Sequence, residues 1–343
     1  MKAIFFESHG ELDVLKYADL PDPTAPAGHA LIKVKAVALN HLDIWVRRGW
    51  KGLSVPMPHI TGSDISGEIV SVSAPLSQWK EKTKVIINPG IVTVEDEWVR
   101  RGEDSVSPGY KLLGEQLKGG LAEYVVVPLE NVFKMPDGLS FEEAAAPLLV
   151  GTTCWRMLFK RAQIVPGENI LVVGSGGGVN SLTIQLANSI GCKIHVVAGG
   201  PKKARRAVEL GAASVVDYHK NPNWPLEILK ATKGRGVDVV IDNVGKDTFA
   251  KSLLAVRRGG RIVTVGNTSG YDVHFDNRML FAKQISLIGS TMGSRQDFID
   301  AMDYLWSRNI KIAIDRVEGL KDGIKMIKYL EEGKQFGKVV LKV

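Results

Sequence analysis

Cysteine is almost absent from this chain: 343 residues contain two, Cys154 and Cys192. Two thiols cannot build a disulfide framework or a four-thiolate metal site, and both lie in apolar stretches where a free thiol packs as a small hydrophobe. Long apolar runs are missing too. The best, AAAPLLV, is broken by Pro147 and closed by Gly151, far short of the roughly 18 residues that span a bilayer. The opening MKAIFFESHGELD has too brief an apolar stretch for a secretion signal and reads as a first strand. A soluble, cytoplasmic protein with no membrane partner is expected. A basic stripe is also lacking. The net charge is +7, yet 44 basic residues are interleaved with 37 acidic ones and fall in short pairs such as Arg47-Arg48, Arg100-Arg101 and Arg257-Arg258. Without clustering or interleaved aromatics these form a solvated surface, which argues against a nucleic-acid partner and leaves a small-molecule substrate.

What is present is enough apolar residue, 45%, for two globular cores. Up to residue 127 the pattern is short alternating strands such as ALIKVKAVAL, SGEIVSVS and KVIINPG, punctuated by Gly and Pro, which predicts a β-rich domain. From about 141 the chain alternates helical stretches with six β-branched runs, ENILVVG, KIHVVAG, ASVVDY, VDVVIDNVG, GRIVTVG and ISLIGST. Six buried strands separated by helices predict a doubly wound parallel sheet, an α/β fold, over residues 128–293 with its leading helices. Residues 294–343 offer two amphipathic helices and the strand FGKVVLKV, read as returning to the first domain.

The run NILVVGSGGGVNSLTIQLANSIGCKIHVV is a strand, a glycine-rich turn, a helix and a second strand, the context that makes a glycine motif informative. Glycine lets backbone N–H groups approach a pyrophosphate that the helix dipole attracts. Gly174, Ser175, Gly176, Gly177, Gly178 and Val179 form that turn. The third glycine of GxGxxG falls at Val179, and that of GxxGxxG at Asn180, which predicts looser helix-to-strand packing there. At the end of the second strand, where an acid would bind the adenosine ribose, stands Ala198, then Gly199 and Gly200, with Lys202, Lys203, Arg205 and Arg206 following. Small residues leave room for a 2′-phosphate and cations neutralise it, which favours NADP(H) over NAD(H). Thr153, Asn243, Val244, Gly245, Val265, Gly266, Asn267, Ser290 and Thr291 lie at helix and strand ends expected on the cofactor side, and Lys338 in the terminal strand joins them.

PHITGSDISGEIVSV, INPG, GGLAEYVVVP, LSFEEAAAPLLVGTTCW, the glycine turn, RAVELGA, DNVG, GGRIVTVG and GKVVL together resemble the medium-chain dehydrogenase/reductase superfamily, with a GroES-like catalytic domain and an inserted Rossmann domain. Asn40, Asp43, Arg47 and Gly49 are similar to the NxxDxxxRxG signature of its zinc-free quinone oxidoreductases, while the rest looks more like zinc-type alcohol dehydrogenase-like proteins. Where zinc enzymes carry their catalytic ligands this chain has Asn40, Ser63 with Asp64, and Leu149; at the four structural-zinc positions it has Thr93, Asp96, Val99 and Ser107. No zinc is therefore expected, the alternative being a rearranged site of His41, His59, Asp43 and Asp64. From their positions the Asn40 amide is expected to donate to the substrate oxygen and Asp43 to orient Asn40 or His41. Trp50 is expected as an apolar wall and His41 as a candidate proton donor, a ring turned away being the alternative; Asn40 and Asp43 as structural turn residues remain open. The position of the zinc enzymes' relay hydroxyl holds Leu42. The expected activity is NADP(H)-dependent reduction of a quinone or an α,β-unsaturated carbonyl. Alternatives are a zinc-independent alcohol or aldehyde dehydrogenase and a non-catalytic NADPH-binding protein. The resemblance also implies a homodimer or homotetramer, with ISLIGST as the edge strand.

Overall fold

The computed structural model describes residues 1–73 and 79–343, which divide into two compact units. The first comprises Met1–Thr152, Gly293–Leu305 and Ile314–Val343; the second comprises Thr153–Met292 and Trp306–Ala313. Within the described residues no helix is long and apolar enough to cross a membrane.

In the first unit a long strand, His29–Ala38, organises a seven-stranded sheet. Along one edge it pairs antiparallel with Asp64–Val72. Along the other it takes Tyr124–Pro128 on residues 29–33 and the terminal strand Lys338–Lys342 on residues 36–38. Ala38 is thereby registered against Asp64 on one side and Val340 on the other. This brings the starts of two strands distant in sequence close to Asn40, two residues further on. The anticipated return of FGKVVLKV to this unit is observed, together with a further strand, Ile314–Gly319, that pairs parallel to it. The first unit runs past residue 127, to Thr152, because Val132–Lys134 pairs with Lys84–Ile87 and the Ser66 hydroxyl donates to the Phe141 carbonyl at 2.6 Å. Sheet pairing in this segment outweighs the shift to helical periodicity that marked the expected boundary.

The second unit is a six-stranded parallel sheet in the order Ser214–Asp217, Lys193–Ala198, Asn169–Val173, Val237–Asp242, Val256–Thr264, Ser286–Gly289. All six expected strands are present, and the order reverses direction at Asn169–Val173, the topological switch point of a Rossmann fold. The central strands are fully buried, as parallel strands covered on both faces must be. Ser286–Gly289 is the edge, as expected of ISLIGST.

At the four positions where a structural zinc would be bound, hydrogen bonds knit the lobe together. Asp96 caps the short helix Glu97–Arg100, accepting from the N–H groups of Trp98 at 2.9 Å and Val99 at 3.0 Å, and its other oxygen accepts from Ser107 Oγ at 2.7 Å. Ser107 Oγ accepts from Gly109 N, whose carbonyl accepts from Thr93 Oγ1 at 2.8 Å. These bonds hold the Asp96 carboxyl below its ordinary range. Asp96→Ala should expose residues 93–107 to limited proteolysis with the six-stranded sheet intact; unchanged cleavage would show that the lobe does not depend on this hub.

His59 is fully buried, edge-on to Phe6 at 5.5 Å between centroids. Burial holds its pKa down to about 4. The native state thus binds fewer protons than the unfolded chain between pH 6.5 and 4. The stabilisation is complete above the unfolded pKa and is lost as the pH falls, by about 3 kcal/mol over the window. In urea unfolding from pH 7 to 4, wild type should lose roughly that much more stability than His59→Leu on acidification, whereas equal losses would refute the assignment.

Candidate active site and dinucleotide site

The helix His41–Arg48 opens the catalytic-domain site. Its N-cap is Asn40, and Asp43 at the third position reaches back to accept from Asn40 N at 2.7 Å. The second Asp43 oxygen accepts from Gly62 N at 2.8 Å, which ties the helix start to the loop before Asp64–Val72. Burial outweighs these donors and pushes the Asp43 pKa up to about 6. At the other end Gly49 closes the helix with φ +74°, where a Cβ would meet the His9 ring at 2.7 Å. Arg47, 1% exposed, pairs with Glu331 at 2.8 Å. The four signature residues Asn40, Asp43, Arg47 and Gly49 are thus the cap, brace, anchor and stop of one helix.

Behind the cap lies a buried polar cluster. Asp64 accepts from Leu149 N at 2.6 Å, Asn40 Nδ2 at 2.9 Å and Lys338 Nζ at 2.7 Å, and Lys338 Nζ also donates to Asn40 Oδ1 at 2.5 Å. Lys338 is 2% exposed and Asp64 fully buried. Both ends of the Asn40 amide are engaged, which corrects its expected role: the amide does not point a free donor at a substrate. Asp43 orients Asn40, through the backbone N–H. Lys338, expected at the cofactor, is committed instead to Asp64 and Asn40. His41 is kept neutral by burial first and by the charge of Lys338 second, which argues against an imidazolium donor. Trp50 is 45% exposed and forms no part of the core.

Of the three catalytic-zinc positions, Asn40 joins this cluster through its amide and Leu149 through its backbone N–H, and Ser63 precedes Asp64 in the chain. The Ser63 hydroxyl is buried without a hydrogen-bond partner. A catalytic zinc needs three protein ligands of the His, Cys, Asp or Glu kind, and among the described residues no three such side chains are placed to hold a metal. The rearranged set is not assembled either: Asp43 faces two backbone N–H groups, Asp64 faces an ammonium, and His59 lies against Phe6. The donors present do not fit a zinc ion.

In the second unit Gly174 leaves the first strand with φ +87° and the helix Gly178–Ser189 follows, its Gly177 N-cap carrying no side-chain cap. A Cβ on Gly177 would meet nothing within 4 Å, and the covered Ser175 hydroxyl has no partner. An uncapped helix N-terminus, an open turn and an orphaned hydroxyl together fit a dinucleotide pyrophosphate. Asn180, where looser packing was expected, closes the turn instead. Its Nδ2 donates to the Val173 carbonyl at 2.8 Å and its Oδ1 accepts from Asn243 Nδ2 at 3.0 Å. Asn243 Oδ1 in turn accepts from Val265 N at 2.8 Å. The Asn243 side chain and the Val265 N–H are therefore braces between strand ends rather than free cofactor donors. The N–H groups of Val244 and Gly245 are held by Asp242 Oδ1 at 3.0 and 3.2 Å. Asn267 and Thr291 are exposed, the Gly266 carbonyl accepts from Thr264 Oγ1, and the covered Ser290 hydroxyl has no partner. Thr153 Oγ1 lies 3.5 Å from Met292 Sδ.

At the end of the second strand, Gly199 caps the helix Gly200–Glu209, with Lys202 exposed and Lys203 half-buried in its first turn. Parallel pairing sets Ala198 beside Asp217, whose Oδ1 accepts from Gly200 N at 3.1 Å, and a Cβ on Gly199 would come within 2.6 Å of the Tyr218 hydroxyl. Asp217 and Tyr218 escaped the sequence reading because strand register, which a sequence does not print, is what brings them to this turn.

Residues 26–137 match the alcohol dehydrogenase GroES-like domain family and residues 178–307 the zinc-binding dehydrogenase family. The chain is 32% identical over the full length of both proteins to an NAD-dependent alcohol dehydrogenase of Sulfolobus acidocaldarius. It is 31% identical to a crotonyl-CoA carboxylase/reductase of Cereibacter sphaeroides, over 84% of this chain and 74% of that one. A crystal structure of an NAD-dependent alcohol dehydrogenase superposes over all of both chains with TM-score 0.95 at 38% identity. With both domains, the Rossmann strand order and full-length relatives in agreement, the chain belongs to the medium-chain dehydrogenase/reductase superfamily and is an oxidoreductase of that superfamily.

Proposed function

We propose that this enzyme is a zinc-independent, NADP(H)-dependent reductase of quinones or α,β-unsaturated carbonyl compounds. The observation that carries the reading is the replacement of the zinc ligands by Asn40, Ser63 and Leu149 around an Asp64–Lys338 ion pair. Without a divalent Lewis acid the site loses several kcal/mol of charge stabilisation, which falls hardest on an alkoxide. Leu42 in place of a relay hydroxyl removes the proton path that alcohol oxidation uses. Conjugate reduction develops a delocalised enolate or hydroquinone anion that a few donors can hold. Relatives named crotonyl-CoA reductase, 28–31% identical, support an enoyl substrate, since that name describes reduction of a conjugated thioester. The bound nicotinamide would supply the hydride. The protein's share is the Gly174–Val179 turn and the helix N-terminus for the pyrophosphate, and Asn180, Asp242 and Asn243 to keep the strand ends rigid around it. The edge strand Ser286–Gly289, paired on one side only, supports a homo-oligomer.

NADPH oxidation, followed by nicotinamide absorbance against a panel of quinones and enones, should proceed equally with and without a strong zinc chelator. Activity abolished by the chelator would overturn the metal-free reading. Silence across the panel, with primary alcohols oxidised instead, would make the protein an alcohol dehydrogenase; silence with both would leave a dinucleotide-binding protein.

Preference for NADP(H) rests on Ala198 in place of the ribose-binding acid and on the cations of the following helix. Asp217 opposes a 2′-phosphate, but its carboxylate is already turned onto Gly200 N and His219 N. Replacing Lys202 and Lys203 together by Ala should weaken NADPH binding about tenfold or more and leave NADH within about twofold, because charge-assisted contacts to the phosphate are worth about 1.5–3 kcal/mol. Equal weakening of both, or tighter binding of NADH by the wild type, would reassign the cofactor to NAD(H).

A further inference from the structure

Apart from the Asp64 cluster, the first unit carries a cavity of about 520 Å³, the size of a small-molecule pocket. Its walls are the strand Gly90–Val92 with Asn88 before it, the lobe around Val99 and Asp104, the turn Leu129–Asn131 and the start of the helix Arg295–Ser307. All of these segments belong to that one unit. Three of the lining side chains are polar and buried, Asn88 and Asn131 at 3% exposure and Asp104 at 7%, and the fold uses only half of each. Asn88 Oδ1 accepts from Gly90 N at 3.1 Å, which leaves its Nδ2 donor. Asn131 Nδ2 donates to the carbonyls of Asn88 at 2.9 Å and Gly90 at 2.6 Å, which leaves its Oδ1 acceptor. Asp104 Oδ2 accepts from Arg295 N at 2.7 Å, which leaves its second oxygen. Among the described residues nothing takes up these three atoms, and none of them is sealed from solvent. A buried carboxylate with a single hydrogen bond is under-satisfied, and calls for a further donor. Arg295 brings the positive charge of the lining. Its guanidinium lies over the Phe133 ring at 5.0 Å and donates through Nη1 to the Glu130 carbonyl, and among the described residues it pairs with no carboxylate, Asp104 included. Nε and Nη2, the edge that grips a carboxylate through two parallel bonds, are unengaged.

We propose that this cavity binds a free α-amino acid with an apolar side chain. The ligand's ammonium donates to Asp104 Oδ1 and Asn131 Oδ1, and its carboxylate accepts from the open edge of Arg295 and from Asn88 Nδ2. The side chain lies on the half-buried Val92 and Val99. A zwitterion suits the site because its anion and its cation are not paired with each other, so each end of the ligand meets an opposite charge. A simple carboxylate would leave Asp104 unmet and face the negative charge of the exposed Glu95 and Glu130 as well. A simple amine would leave Arg295 unmet. The inference is independent of the reductase reading, since it uses no residue of the glycine turn or of the Asp64 cluster, and the ligand is bound without any bond being made or broken.

The test is isothermal titration of the full-length protein with leucine and its two truncated analogues. Leucine should bind saturably with a Kd of roughly millimolar or tighter. Isocaproate, which lacks the ammonium, and isoamylamine, which lacks the carboxylate, should each bind about tenfold more weakly or worse, the scale of one charge-assisted hydrogen bond. Two variants then assign the ends. Asp104→Asn keeps an acceptor for the Arg295 N–H and should weaken leucine and isoamylamine about tenfold or more while sparing isocaproate. Arg295→Lys keeps the charge but loses the two-bond edge, and should weaken leucine and isocaproate while sparing isoamylamine. The analogue titrations use the unaltered protein, so they keep the test open if a variant misfolds. No saturable leucine binding, an analogue that binds as tightly as leucine, or leucine affinity unchanged in either variant would overturn the proposal.

Discussion

The carboxylate of Asp64 joins chain segments 24, 85 and 274 residues away, through Asn40, Leu149 and Lys338. Each oxygen of a buried anion must be met by a donor, since an unmet charge in the interior costs several kcal/mol. The three donors come from a helix cap, a helix start and the terminal strand. The seven-stranded sheet makes the meeting possible, because Ala38 is registered between Asp64 and Val340 and the next turn of chain delivers Asn40. Removing Lys338 would leave a buried charge unbalanced, and removing either neutral donor would leave the carboxylate one hydrogen bond short.

The second unit solves a different problem with the same economy. A glycine turn that is open enough for phosphate is also floppy, since glycine adds no side chain to brace it. Here bracing comes from polar side chains one layer below. Asn180 ties the turn to Val173 and Asn243, Asn243 reaches Val265, and Asp242 gathers the N–H groups of Val244 and Gly245 with the hydroxyls of Thr248 and Ser252. Three strand ends are held together while the Gly177 face stays bare.

The fold was largely legible in the sequence because its signals are periodic: six β-branched runs with helices between them permit few arrangements other than the observed sheet. The first boundary was misplaced because Val132–Lys134 is too short a strand to show a period, and its membership is decided by pairing with Lys84–Ile87. Site residues were legible by type but not by partner. Asn40 and Asp43 carry atoms suited to catalysis, but both turn inward, to a cap and to Asp64. Lys338 carries a charge suited to phosphate, but strand pairing 298 residues away sets it on Asn40. Asn180 looked like a defect in a glycine motif because a motif records which residues are small, not which hydrogen bonds they would otherwise make.

A site without a divalent metal, as proposed for this chain, changes which reactions a shared scaffold can favour. A dication attracts a localised alkoxide strongly and lowers the cost of forming it at neutral pH. Hydrogen-bond donors without a metal provide direction but little excess charge, so their advantage grows as the negative charge spreads over several atoms and the solvent is excluded. With Leu42 supplying no relay proton and His41 held neutral, the proposed reading favours a transition state whose charge is already dispersed over deprotonation of an alcohol. On the proposed reading, the three altered ligand positions mark a shift from removing a proton to receiving a hydride's electron pair rather than a loss of activity.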